Sequence, residues 1–379
     1  MSVTAQAKAP LDLKPLTALR ILPALWVVLA DYWPDLKGVP DAPPAFIASG
    51  QLGVELFFVL SGFILSHVYL SGFGEKRFNY RGFLWARLAR IYPLHIATLA
   101  AVGIMGAAAL LMGRVMEHNV LYWPSLPSNL LLVNAWGFNT DAGWNHPAWS
   151  ISAEWFAYLL FPVFATVAWS LRARPILAVG LAGLLLVVIY PTFQHFAGFK
   201  LTDATIAWGA LRIVPCFAYG CAMFLVWRSN AIRTQRTAVA MSLGFAVFSL
   251  LLVALSAPTA AIVASFGALI LGLASLTSTG STLFSGKAGV YLGEVSFAVY
   301  MVAIPWKMLI MSGAEKVLHL NGDLPLPIWL VYFGGVVLVG MIGHHLVERP
   351  ARNLMRKWAE GRIHRPSPAV IALPASAVG

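Results

Sequence analysis

The chain has 379 residues, 59% of them hydrophobic and only 11% charged, with a net charge of +11. Soluble globular domains carry about 25% charged residues, so too little polar surface exists to cover a soluble core of this size, and lipid must be the solvent for much of it. In so apolar a chain the positive balance reads as the Lys/Arg bias of cytoplasmic membrane loops, and nucleic acid is not an expected partner.

Residues 1–15 are polar and irregular, with no apolar stretch of the signal-peptide kind, and are expected as a cytoplasmic tail. Apolar runs long enough to cross a bilayer follow near 17–36, 48–70, 92–113, 149–170, 176–193, 205–227, 236–256, 259–279, 288–311 and 326–347. The pair around Pro258 is the weakest of these, because its turn is short. The expected fold is therefore all-α: one polytopic transmembrane domain of about ten helices over 16–355. A basic, then flexible, cytoplasmic tail covers 356–379. Lys and Arg set the orientation. Arg77, Arg81, Arg87, Arg90, Arg172, Arg174, Arg228, Arg233, Arg236 and the arginines after 348 fall on one side. Lys37, Arg114, Lys200 and Lys316 fall on the other. That contrast predicts both termini in the cytoplasm. Cys216 and Cys221 lie inside an apolar run and suggest neither a disulfide nor a metal site, and no metal is expected.

Ionisable residues inside spans are expensive and mark functional sites by default. Towards the cytoplasmic ends lie Arg20, His67, Arg87, Arg90, His344, His345 and Glu348. Arg87 and Arg90 are three apart and share a helical face, as a phosphate clamp would; a positive-inside pair resting on lipid headgroups would look the same. Asp31, Glu55 and Glu154 are expected farther out, at similar depth. Arg20 and Asp31 are eleven residues apart, which places them on one face of the first helix. A desolvated carboxylate could serve as a general base, whereas a structural polar contact between helices is the plainer alternative.

The loop 114–148 is rich in Trp, Pro and Asn, including Asn134, Trp136 and Asn145. Such a loop anchors at the interface or stacks on sugars. A basic inner vestibule and an acidic outer one suit either a transporter for an anionic metabolite or a transmembrane group-transfer enzyme. Physical reasoning from the sequence leaves both open.

The segments LTALRILPALWVVLADYW, GQLGVELFFVLSGFIL, RLARIYP, HPAWSISAEWFAYLLFP, LGEVSFAVYMVAIP and HHLVERPAR, in this order, resemble the membrane acyltransferase-3 family over about 16–355. The resemblance implies an O-acyltransferase of a bacterial inner membrane. It would move an acyl group, acetyl above all, from cytoplasmic acetyl-CoA to an extracytoplasmic glycan or lipid-linked sugar such as an exopolysaccharide. It implies that Arg20, Arg87 and Arg90, with His67 nearby, hold the phosphates of the acyl-CoA donor. Position 31 is the place of the base, Glu154 or Glu55 orients the acceptor, and Trp149, Trp136 and Asn134 line the acceptor side. Two departures stand out. The family's first-helix histidine falls on Asp31, and its late-helix histidine falls on Ala303. An engineered inactive variant, a naturally degenerate member and an enzyme working through Asp31 all fit, and impaired turnover is the expectation. The pattern carries no sign of oligomeric state.

Overall fold

A backbone in lipid must satisfy its own hydrogen bonds, which is why the long apolar runs become helices. The computed structural model describes residues 12–40, 42–113, 120–320 and 323–363. Arg114, most of the expected N-terminal tail and the end of the expected C-terminal tail lie outside the described residues. Among the described residues, nine helices are long and apolar enough to span a membrane, and a bent pair passes the same test when its two helices are taken together. In chain order they are α1 (Lys14–Asp35), α2 (Leu52–Gly74), α3 (Tyr80–Leu111), the bent pair α4 (Ala148–Leu159) and α5 (Phe161–Ser170), α6 (Pro175–Ala197), α7 (Gly209–Arg228), α8 (Gln235–Ala254), α9 (Thr259–Ser278), α10 (Lys287–Leu318) and α11 (Leu326–Gly343). A π-helical turn (His344–Glu348) joins α11 to the amphipathic α12 (Arg349–Ile363). The two runs beside Pro258 are both full helices of 20 residues.

Three departures from regular helix shape the interior. Pro23 has no N–H to give the Leu19 carbonyl, and α1 breaks at Arg20, whose own N–H bonds Thr17 O at 3.2 Å. Pro162 denies an N–H to Tyr158, and the expected span 149–170 is bent by 56° between α4 and α5. Pro350 likewise follows the π-turn, where the helix holds one extra residue per turn. The third span also starts earlier than its apolar run. Asn79 caps α3 by accepting from the Gly82 N–H at 3.1 Å, so Arg87 and Arg90 lie inside the helix rather than before it.

Helix association in lipid depends on close backbone approach at small residues. At the α2–α7 crossing, a Cβ on Gly62 would strike the Phe217 carbonyl, and one on Gly220 would strike the Val59 carbonyl. Gly293 of α10 lies equally close to Thr17 of α1. These contacts draw α2, α7, α10 and α1 around one interior, against which α4 packs through the buried Trp149 and α5 through Phe161. The loop before α4 folds into the bundle. Asn145 is fully buried and donates to Thr98 Oγ1 and Met301 O, both at 3.0 Å.

Candidate active site

The basic residues expected at one end of the bundle converge. Arg20 at the break in α1, His67 on α2, Arg87 and Arg90 on α3, and Glu154 on α4 all line one cavity of about 480 Å³. That volume suits a small organic ligand. Arg87 donates to Tyr69 Oη at 3.4 Å and sits over its ring, while its Nε is buried with no partner. Neither Arg20 nor Arg90 has a carboxylate within ion-pair distance among the described residues. Glu154 accepts from Tyr158 Oη at 2.9 Å. All three guanidiniums are half-buried, and with no carboxylate paired to Arg20 or Arg90 this wall suits an anion.

The cavity is long. On α2 it runs from Val68 to Val54, fourteen residues or about 21 Å along the helix axis. Between these ends the wall is mainly apolar, with Phe57, Leu60 and Ile64 facing in. Its far end reaches Ser150 and Tyr300. Tyr300 precedes Ala303 by three residues on α10, less than one turn.

The three acids do not form one outer vestibule. Glu154 faces the arginines. Glu55 lies under Arg212 of α7, whose Nη2 reaches its Oε2 at 2.9 Å while Nε holds the other oxygen; both side chains are 0% exposed. Both carboxylate oxygens are thus occupied. Arg212 also donates to the carbonyls of Ala204 and Gln51, at 3.0 and 3.1 Å. Its guanidinium stacks 4.6 Å over Trp149. Trp149, expected on the acceptor side, is a core residue, 1% exposed. Arg212 is missing from the residues singled out by sequence, although its charge lies inside the run 205–227; its pairing with Glu55 had no sequence signal, because 157 residues separate them.

Asp31 stands at the opposite end of α1 from Arg20. Gln51 Nε2 donates to its Oδ1 at 3.2 Å, and Lys307 of α10 donates to its main-chain oxygen, also at 3.2 Å. Lys307 pairs with Asp35 at 2.8 Å, and Tyr332 donates to Asp35 at 3.2 Å. Ala303 is 1% exposed, and its carbonyl accepts from Tyr32 Oη at 2.7 Å. Tyr32, next to Asp31, and Lys307, one turn beyond Ala303, thus bond the two segments across one α1–α10 junction. Asn134 and Trp136 lie apart from it. Asn134 is buried, and Trp136 donates to Ser152 O at 3.2 Å and stacks edge-on against Phe156. No group of three or more metal-ligating side chains occurs among the described residues.

The long cavity with its basic wall can hold an anionic ligand with an extended apolar arm. The family model described as an acyltransferase domain matches residues 14–345. The chain belongs to this acyltransferase family. It is 27% identical to the acyltransferase MdmB of Streptomyces mycarofaciens over 334 residues, 81% of this chain and 82% of that protein. It is 23% identical over 201 residues to Bacillus subtilis YrhL, whose name assigns it provisionally as a peptidoglycan O-acetyltransferase; that match covers 49% of this chain and 30% of YrhL. A 53-residue stretch, 14% of this chain, is 49% identical to 28% of protein 2 of the picA locus of Rhizobium radiobacter. No solved structure matches. The chain is thus a multi-pass membrane acyltransferase by family.

Proposed function

We propose that this chain takes an acyl group, acetyl above all, from acyl-CoA on the cytoplasmic side of a bacterial inner membrane and gives it to a hydroxyl of a glycan or lipid-linked sugar on the far side. The observation that carries this reading is the cavity of about 480 Å³ that is lined by Arg20, Arg87 and Arg90 and also by Tyr300, less than one turn before Ala303 on α10. Phosphates of the donor pair with the guanidiniums, whose planar forks match phosphate oxygens. The thioester arm lies along the apolar wall and brings the acyl carbon toward Tyr300. The Lys and Arg excess at the arginine end supports the cytoplasm as the donor side.

At the far end the acceptor hydroxyl gives its proton to the Asp31 carboxylate as its oxygen attacks the thioester carbonyl. The C–O ester bond forms, the C–S bond breaks, and the coenzyme A thiolate takes the proton on release. Asp31 is a weaker base at neutral pH than the imidazole the family places there, so turnover is slow. Glu154, held by Tyr158, belongs to the arginine end of the cavity rather than to the acceptor side. Glu55, bound on both oxygens by Arg212, is a structural member of the site.

The test is acyl transfer by the full chain in proteoliposomes loaded with acetyl-CoA, read as labelled acetyl on a polysaccharide or lipid-linked sugar. Transfer that depends on Arg87 and Asp31 supports the reading. Passage of an intact anionic metabolite with no transfer, even for Asp31→His with Ala303→His, replaces it with the transport reading.

A further inference from the structure

A second cavity, of about 440 Å³, adjoins the first at the arginine end. Thr17, Arg20 and Arg90 line both. The rest of its wall has different chemistry. Arg349 and Arg352 come from α12, His344 and His345 from the π-turn, and Tyr291 and Glu294 from α10. Four guanidiniums thus face one lining carboxylate. Glu348, buried behind the wall, is taken up by His344 at 2.9 Å and Arg352 at 3.3 Å. Arg349 is exposed and makes no hydrogen bond or ion pair among the described residues. Tyr291 and His345 stack at 5.8 Å between ring centroids and share a hydrogen bond of 2.9 Å, which gives the cavity a flat aromatic wall. A π-turn in this position is itself a common mark of a functional site. The family match ends at 345, so Arg349 and Arg352 lie beyond it.

We infer that this second cavity binds a phosphomonoester on a purine nucleotide: the adenosine 3′-phosphate end of the donor. The inference rests on the reading of the long cavity as the acyl-CoA site. A phosphomonoester carries nearly two negative charges at neutral pH and offers three acceptor oxygens. Arg349 and Arg352 supply forked donors for it. The Tyr291–His345 wall stacks the base, as aromatic side chains do for nucleobases generally. Arg20 and Arg90, shared by both spaces, then hold the diphosphate where the ligand turns from one cavity into the other. An anionic lipid headgroup carries the same phosphate chemistry and is the competing source.

The experiment uses the full chain in phosphatidylcholine nanodiscs, titrated calorimetrically with coenzyme A and with dephospho-coenzyme A, which lacks the 3′-phosphate. The native chain is expected to prefer coenzyme A by about tenfold. Arg349→Ala, at an exposed residue without a partner, should erase that preference by weakening coenzyme A alone, and Arg349→Lys should restore part of it. Arg87→Ala, in the long cavity only, should weaken both ligands alike. A preference that survives Arg349→Ala overturns the assignment. So does competition by phosphatidylglycerol that depends on Arg349 while the coenzyme A preference does not, which would assign the cavity to lipid. If Arg87→Ala changes neither affinity, the donor reading fails together with this one. If Arg87→Ala weakens both ligands and Arg349→Ala changes nothing, only the second-cavity assignment fails.

Discussion

Glu55 of α2 and Arg212 of α7 form a fully buried, two-pronged ion pair across the α2–α7 crossing. Neither charge has solvent to fall back on, so each depends on the other. Arg212→Met should therefore cost about 3–5 kcal/mol, because it strands the Glu55 carboxylate. Replacing both, as Glu55→Leu with Arg212→Met, should recover most of that loss. Thermal unfolding in detergent checks this, and a double variant no better than the single would show that the pair matters beyond its own charges.

The crossing that makes the pair possible depends on Gly62 and Gly220. A larger side chain at either must push a backbone carbonyl of the facing helix aside. Gly220→Val is expected to abolish folded, monodisperse protein, while Gly244→Val on α8, where an added Cβ meets nothing within 4 Å, should leave it intact. Size-exclusion profiles of the two variants decide this.

Asp31 is the group at position 31 that can accept a proton, and Gln51 holds its Oδ1. Asp31→Asn preserves size and removes the base. Acyl transfer should fall by about 10²-fold or more, with coenzyme A affinity unchanged. Asp31→His should raise transfer above that of the native chain by a comparable factor. Single-turnover transfer alongside equilibrium binding separates the two effects. Equal rates for the native chain and the Asp31→Asn variant would remove this residue from the chemistry.

Ala303 packs against α1 with its carbonyl bonded to Tyr32. A histidine there must displace well-packed neighbours, and Ala303→His is expected to cost about 1–3 kcal/mol of stability. Tyr32→Phe, which removes the hydroxyl while keeping the ring stacked 4.0 Å from Tyr332, should cost about 1 kcal/mol. Melting temperatures of the two variants measure both figures.

Donor affinity should weaken with salt if guanidinium–phosphate pairs supply it, although less steeply than for surface charges, because the arginines are partly shielded. Arg87→Ala should lower coenzyme A affinity by about tenfold and flatten the salt dependence. Affinity that is insensitive to both salt and Arg87 would place the phosphates elsewhere.

The sequence by itself determined the helices, because a bilayer demands long apolar runs and tolerates few charges. Nine of the ten expected runs became single helices long and apolar enough to span a membrane, including the two beside Pro258, and the run 149–170 became a bent pair. It also singled out Arg20, Arg87, Arg90, His67 and Glu154, since buried charge is rare enough to notice. Only the tertiary structure decided what those charges face. Depth counted along single helices put Glu154 with Asp31 and Glu55. Packing instead turned Glu154 to the arginines, gave Glu55 to Arg212 and left Asp31 beside Lys307. Helix periodicity fixes a residue's height and face, but the partner across an interface depends on which helices approach closely. In this chain that depends on a few glycines and on prolines that break α1 and bend α4 away from α5. The bonding of Tyr32 to the Ala303 carbonyl and of Lys307 to the Asp31 carbonyl, across α1 and α10, is a fact of that packing alone.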